Sequence, residues 1–332
     1  MNFNDIRGQS LALEKIQTDI REENLSGAYL FTGPQGVGKK MAAISLAKAL
    51  NCKQNSINGC ERCSSCIKIE KMIHPNLRIV NPEGNYIKIE QIRRLKADSS
   101  LKIYEGRKKV WIIDEAEKLT QEAANSLLKT LEEPPPHLVI ILITHIPRLL
   151  PPTIISRCRI IHFSPLRDED ISEILKKQKN IKAEFIPIVS QLARGSMSEA
   201  LKLIEEESIL KERERAFNLL QRGKALAKEA FTLSERWSTQ KNSDIETLLN
   251  IVLFFLRDIL LLKMGNDVSI INKDKEGKLL KMKEDFSLSH LCKAIETVEK
   301  SKFLLHANLS AQLILETMWM RIFYPEYNLI NG

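Results

Sequence analysis

Ala28-Tyr-Leu-Phe-Thr32-Gly33-Pro-Gln-Gly36-Val-Gly38-Lys39-Lys40 is the stretch on which the fold turns. An apolar run of strand length leads straight into three closely spaced glycines, and a helical pattern, Met41-Ala-Ala-Ile-Ser-Leu-Ala, opens directly behind them. A strand that ends in a glycine-rich turn and restarts as a helix aims a row of backbone N–H groups, and the positive end of a helix dipole, at one point. That point is a cradle for phosphate. Gly33, Gly36 and Gly38 let the backbone close around the anion, and Lys39 is placed to reach its β- and γ-phosphates. The residue after that lysine usually offers a hydroxyl to Mg²⁺, and here it is Lys40. An ammonium about 6 Å from the metal costs roughly 1.4 kcal/mol per unit of metal charge at an effective dielectric near 40, unless the long side chain swings away. Two readings stay open: a phosphate site that has lost a metal ligand, or an ordinary glycine turn. ATP with Mg²⁺ is correspondingly an open expectation.

Working outward, short apolar runs recur at Leu77 to Val80, Val110 to Ile113, Leu138 to Thr144 and Ile160 to Phe163, with helical patterns between them. Alternation of this kind predicts an α/β fold built on a parallel sheet. Between the third and fourth runs, Ala123, Ala124, Leu127, Leu128 and Leu131 recur at helical spacing, with Thr120 as N-cap and Pro134, Pro135 and Pro136 ending the helix. The strand signal stops near Pro165. Residues 166 to 205 carry two short helical patterns, and the remainder is Leu-rich and charged, with few turn signals apart from the Gly265 to Gly277 loop.

A chain of 332 residues can bury several cores, so more than one domain is expected. Hydrophobic residues at 43% and charged residues at 28% describe a globular protein, and the start MNFNDIRGQS has no apolar core of a signal peptide, which predicts a cytoplasmic location. Ile245 to Leu262 is the strongest membrane suspect, but Glu246, Arg257 and Asp258 cut it too short to span, and it reads as a buried helix. A net charge of +8 favours an anionic partner without requiring one. Arg93, Arg94, Lys96, Lys102, Arg107, Lys108 and Lys109 could face DNA phosphates or simply water, and the Lys273 to Lys283 run reads as an exposed loop.

Cys52, Cys60, Cys63 and Cys66 form C-x7-C-x2-C-x2-C just after the helix that follows the glycine loop. Four thiolates at this spacing suit a closed tetrahedral Zn²⁺ site, a staple for a loop too polar to build its own core; reduced thiols without metal are the alternative. His74 is surplus to such a site and reads as a surface histidine, while Cys158 and Cys292 read as core thiols. Val110-Trp-Ile-Ile-Asp114-Glu115 is an apolar strand ending in two carboxylates. Behind a phosphate loop, such a pair can place the Asp on the Mg²⁺ shell and the Glu beside an attacking water; alone it is a solvated turn.

The glycine loop, the cysteine tetrad, the Asp114-Glu115 strand, Asn125-Ser-Leu-Leu-Lys-Thr-Leu-Glu-Glu-Pro134 and Ser156-Arg157-Cys158 occur in the order seen in bacterial DNA polymerase III clamp-loader subunits, which the chain resembles over residues 1 to about 165. That resemblance implies an AAA+ ATPase fold. It also implies that Arg157 points out of its own subunit into a neighbour's nucleotide site, where the planar, permanently charged guanidinium can hold two phosphate oxygens. Read from the residues alone, Arg157 is an ordinary surface ion pair. Thr144 matches the family's first nucleotide sensor, or is only a strand-end threonine, and Ser198 stands where active motor subunits carry an arginine. With Lys40 and Ser198 in those places and Arg157 retained, the chain resembles the delta-prime stator type more than the gamma or tau motor.

The resemblance implies three parts: an AAA+ domain over 1–165 with a zinc module at about 51–67, a helical lid over 166–205, and an all-α collar over 206–332. Implied partners are gamma/tau and delta subunits, the sliding clamp through the assembly, and primed DNA, with no membrane. Two rivals remain in this reading, an active clamp-loader ATPase that tolerates Lys40 and a zinc-dependent DNA-binding module on a relic ATPase fold.

Overall fold

In a computed structural model, residues 2–99, 103, 105–178, 181–205, 207–223, 227–265, 270–305, 307 and 309–324 are described, and Lys102 lies outside them. The chain divides into two compact units, one of residues 1–171 with 194–198 and one of 172–193 with 199–332.

The first unit is a parallel sheet of five strands, β1 (Ala28–Thr32), β2 (Leu77–Val80), β3 (Lys109–Ile113), β4 (Leu138–Thr144) and β5 (Arg159–His162), in the order β2-β3-β4-β1-β5. Parallel strands need crossovers, and helices cover both faces, which is why these strands are continuous apolar runs rather than alternating ones. Successive side chains still go to opposite faces. Tyr29, Phe31, Val110, Ile112, Val139, Ile141 and Ile143 form one core with α1 (Ser10–Arg21) and α2 (Lys39–Asn51). Leu30, Trp111, Ile113, Ile140 and Leu142 form the other with α4 (Ile89–Ser99) and α5 (Gln121–Glu132), while α3 (Ser64–Glu70) follows the cysteine-bearing loop. Thr120 caps α5, its Oγ1 accepting from Ala123 N at 3.3 Å. Beyond β4 lies a single helical turn, α6 (Pro152–Ile155), and α7 (Asp168–Lys176) ends the sheet region.

The second unit is helical: α8 (Ile186–Leu192), the continuation of α9 (Met197–Glu205), α10 (Glu207–Arg222), α11 (Ala227–Ser238), α12 (Asn242–Lys263), α13 (Glu276–Met282), α14 (Leu288–Leu304) and α15 (Ala311–Phe323). Helix α12 is the buried helix expected at Ile245 to Leu262, with Leu249, Val252, Phe255, Leu256 and Ile259 fully enclosed. Among the described residues no helix is long and apolar enough to cross a membrane. Trp237 and Trp319 meet at 6.0 Å between ring centroids, and the Trp237 indole donates to Glu212 Oε2 at 3.0 Å.

Two expectations fail in this unit. The Lys273 to Lys283 run is a 3-10 turn and α13 rather than an exposed loop, because Leu279 and Met282 are buried and Arg213, itself buried, clamps Asp274 with two hydrogen bonds of 2.7 and 2.9 Å. Cys292 is exposed rather than a core thiol, since it falls on the outward side of α14.

Candidate functional site

The carboxyl ends of β1, β3 and β4 meet at one edge of the sheet, the edge at which open α/β sheets bind their ligands. Thr32 and Thr144 are register partners there, and Asp114 extends β3, its N–H donating to Val80 O at 2.9 Å. Gly33, Gly36 and Gly38 all take positive φ, at 142°, 75° and 100°, as the turn requires. The glycine at 36 has a second reason. A Cβ there would lie 2.5 Å from Ser196 Oγ and 2.6 Å from both N and Oγ of Ser198, and Met197 N donates to Gly36 O at 3.0 Å. The segment carrying Ser198 therefore rests on the glycine loop, and only a residue without a side chain lets it do so.

Both lysines are engaged within the chain. Lys39 is buried, and its ammonium donates to Gly33 O and Pro34 O at 2.5 Å each, so it is folded back onto the loop's own carbonyls. Burial pulls its pKa down to about 8, against the opposing pull of Glu117 and Asp114. Lys40 Nζ stands 3.0 Å from Asp114 Oδ2 and 3.3 Å from Asn81 Oδ1. Its long side chain has not swung away: the ammonium occupies the carboxylate that would otherwise face a metal ion. Glu115, in the left-handed region at φ 51°, is paired with Lys118 at 2.5 Å, and Thr144 Oγ1 accepts from Ile146 N at 3.1 Å. The sequence-predicted loop, acidic pair and strand-end threonine are thus brought together, but each polar group already has a partner inside the protein.

Glu117 was not singled out from sequence. Its side chain is 3% exposed and His145 Nδ1 stands 2.5 Å from its Oε1, but neither buried carboxylate oxygen has a hydrogen bond of good geometry among the described residues. The only signal for it was a third acid two positions after Glu115, which is common in any polar turn.

The four cysteines converge. Their sulfur atoms all lie within 4.8 Å of one another, and a tetrahedral Zn²⁺ with bonds of about 2.3 Å spaces its sulfurs roughly 3.8 Å apart, so a small contraction completes the site. Cys63 caps α3, with Cys66 N donating to its Sγ at 3.4 Å, and Cys63 N donates to Cys60 Sγ at 3.4 Å. Burial raises the thiol pKa values, but backbone N–H donors outweigh it and hold Cys52, Cys60 and Cys63 below the ordinary thiol range. Cys66, the most enclosed, is pushed up to about 12 by burial and by the neighbouring Cys63 sulfur. The donor set and spacing fit a structural metal ion.

This loop is tied to the sheet by buried polar contacts. Lys48, on α2, pairs with Glu70, and Asn51 Oδ1 accepts from Arg107 N at 2.9 Å and Lys108 N at 3.1 Å. His74 is fully buried rather than a surface residue. Its Nδ1 accepts from Asn76 N at 3.1 Å, so the proton sits on Nε2, which donates to Ser65 Oγ at 2.8 Å, and burial lowers its pKa.

Of the basic residues, Arg93 and Arg94 are exposed on α4, Lys96 bonds Ser126 Oγ at 3.1 Å, Arg107 bonds Asn55, and Lys108 bonds Pro136 O at 2.6 Å. Lys109 is buried, donating to the Asp98 carbonyl, so it is no part of a solvent-facing patch. Cys158 is half-buried with its thiol pushed up to about 12 by burial.

Arg157 follows α6 on the surface, its side chain 33% exposed. Nε donates to Glu132 Oε1 at 2.7 Å, Nη2 contacts the same oxygen, and Nη1 donates to Thr153 O at 2.9 Å.

Family models cover both units: DNA polymerase III, delta subunit, matches residues 8–167, and DNA polymerase III, delta subunit, C terminal, matches 207–322. The chain is 31% identical over 315 residues to DNA polymerase III subunit delta′ of Bacillus subtilis (strain 168), covering 93% of this chain and 94% of that relative. It is also 31% identical over 345 residues to subunit tau of the same organism, covering 97% of this chain and 60% of tau. Among solved structures it is similar to a DNA polymerase III gamma subunit-related protein of Thermotoga maritima, at 19% identity and a TM-score of 0.43, covering 94% of this chain and 98% of that one. The family models and the delta′ relative define the class: a subunit of DNA polymerase III clamp-loader type, with an α/β phosphate-loop unit and a helical unit. Within it, the chain belongs to the delta′ family.

Proposed function

We propose that the chain is the stator-type delta′ subunit of a DNA polymerase III clamp loader. In this reading it supports ATP-dependent loading of a sliding clamp onto primed DNA and hydrolyses little ATP itself. The observation that carries the reading is Lys40 on Asp114 at 3.0 Å. A cation bonded to that carboxylate neutralises the group expected to hold Mg²⁺, and Lys39 and Ser198 close the rest of the cradle from within.

Arg157 supplies the remaining chemistry. A guanidinium exposed at the surface can stabilise charge on a phosphoryl group transferred in a neighbouring subunit, an effect worth roughly 10³ to 10⁵ in rate at that site. The partners in this reading are gamma/tau and delta subunits, and the clamp is met through the assembly. Arg93 and Arg94, both exposed on α4, are the candidates for direct DNA contact. Residues 1–165 act as the AAA+ domain, 166–205 as its lid and 206–332 as the collar that meets sister subunits, all in the cytoplasm. Cys52, Cys60, Cys63 and Cys66 would hold one Zn²⁺ in a structural role, since four thiolates leave no open position for catalysis.

The test is ATP turnover by the purified chain alone and after addition to its sister subunits. Negligible turnover alone with an increase on assembly supports the reading. Turnover by the isolated chain at the rate of a working motor subunit overturns it.

A further inference from the structure

The contacts of Arg157 divide its guanidinium into a used side and a free side. A guanidinium has five N–H donors; the edge made by Nε–H and one Nη2–H is the one that can hold an acceptor beside the stem, and the edge between Nη1 and Nη2 is the one that can grip an acceptor end-on. Glu132 takes the first edge, with Nε donating to its Oε1 at 2.7 Å and Nη2 on the same oxygen. Thr153 O takes an Nη1 hydrogen at 2.9 Å, and the Ser156 hydroxyl lies at 3.4 Å from the same nitrogen. The second Nη2 hydrogen has no partner in these contacts, so one donor of the group is left for an acceptor outside the unit.

Glu132 is the last residue of α5, whose buried face carries Ala123, Ala124, Leu127 and Leu131 into the core. The backbone that carries its carboxylate is therefore fixed to the core of the domain, while the side chain itself is 48% exposed. Thr153 lies on α6, one turn ahead of Arg157. Two separate elements thus fix the plane of one exposed arginine, an expenditure of order that a solvated surface charge does not need, because a flexible side chain held in one rotamer gives up entropy.

From this geometry we infer that Glu132 is a positioning residue for Arg157: it buttresses the inner edge of the guanidinium so that the remaining Nη2–H meets a neighbour's phosphate in a fixed orientation. The inference rests on the trans-acting role proposed above and adds a second residue to it. Neighbouring acids are not interchangeable here, since Glu133 makes no hydrogen bond or ion pair with Arg157 among the described residues. A lysine at 157 cannot serve either, because a single ammonium has no second edge for the buttress.

The experiment is a double-mutant cycle in the reconstituted complex, comparing wild type, Glu132→Ala, Glu132→Gln, Arg157→Ala and the Glu132→Ala/Arg157→Ala double variant by DNA- and clamp-stimulated ATPase. Assembly by size exclusion and thermal melting of each free chain are measured in parallel. Misplacing a catalytic group by about an ångström can lower a rate as much as 10²-fold. Glu132→Ala is therefore expected to remove roughly tenfold of the acceleration that depends on Arg157, and Glu132→Gln, whose amide oxygen can still accept from Nε, to retain most of it. In the Arg157→Ala background, Glu132→Ala should have no further effect, a result that a general structural role would not give. If Arg157→Ala lowers the rate but Glu132→Ala matches wild type or exceeds it, the buttress is wrong and the trans-acting arginine stands. If Arg157→Ala is itself silent, the underlying reading fails and the inference goes with it.

Discussion

Lys40→Thr gives the clearest view of how the glycine loop has been altered. Lys40 Nζ lies 3.0 Å from Asp114 Oδ2. A Mg²⁺ bound to the same carboxylate at about 2.1 Å would stand roughly 4.5 Å from that ammonium, a repulsion of about 4 kcal/mol at an effective dielectric near 40 and about 2 kcal/mol in bulk water. The alternative is for the lysine to leave. Its side chain is 45% exposed, so the ion pair is screened and its loss costs about 1 kcal/mol at most. Departure is the cheaper route, and the handicap that Lys40 places on metal binding is then about fivefold. Threonine at this position removes the handicap and adds a hydroxyl ligand. Titration of a fluorescent ATP analogue should show wild-type affinity nearly equal in Mg²⁺ and in EDTA, and Lys40→Thr affinity about 5- to 20-fold tighter in Mg²⁺ than in EDTA. Turnover should remain negligible, since Ser198 still provides no cationic contact. A wild-type protein whose affinity rises tenfold or more with Mg²⁺ would refute the reasoning, and so would a Lys40→Thr variant indifferent to the metal.

Zinc content offers a second check: the chain expressed in the presence of zinc should carry close to one ion, and Cys63→Ser should weaken its retention and loosen residues 52–66, measured by metal analysis and limited proteolysis. Zinc uptake by the metal-free chain at pH 7 should release at least one proton, because the Cys66 thiol is protonated there, a release visible as buffer-dependent heat in calorimetry. His74 adds a pH dependence to stability. Its pKa is lower in the folded chain than the unfolded value of about 6.5, so the unfolded state binds the extra proton and stability falls as pH drops from about 6.5 toward the folded value, by at most about 1.4 kcal/mol per pH unit. Urea melts at pH 7 and pH 5.5 should show this slope in the wild type and a shallower one in His74→Phe; equal slopes would contradict it.

Much of the sheet unit was legible because its signals are local. Buried parallel strands are written as contiguous apolar runs, and all five appear within one residue of the expected bounds, with Thr120 capping the helix it was expected to cap. The cysteine spacing likewise foretold a cluster, because residues this close in sequence need little loop-closure entropy to bring their thiols together. What was not legible depends on distant partners. Nothing near Lys40 indicates that Asp114 will hold it, nothing near Arg157 points to Glu132, and Glu117 is distinguished only once the fold brings His145 beside it. His74 and Lys109 are polar residues buried because Ser65, Asn76 and Asp98 satisfy them, and such pairings leave no periodicity to read. The Lys273 to Lys283 run misled for the opposite reason: Lys273, Lys278 and Lys281 are exposed as expected, while Asp274 is held by the buried Arg213 and two apolar residues a turn apart, Leu279 and Met282, anchor the run as a helix.

Arg157→Ala asks whether this chain acts on a nucleotide held by another subunit. The variant should fold, bind zinc and enter the assembled complex as the wild type does, since the Arg157 side chain is 33% exposed and that of its partner Glu132 is 48% exposed, so no buried charge is left unpaired. The site facing this subunit should lose most of a contribution of about 10³ to 10⁵ in rate, while ATPase sites on other subunits continue, so the whole-complex loss is smaller than that of one site. Steady-state ATPase stimulated by DNA and clamp, measured on complexes matched by size exclusion, should therefore fall clearly below wild type. A fully assembled Arg157→Ala complex that hydrolyses ATP at the wild-type rate would contradict the account.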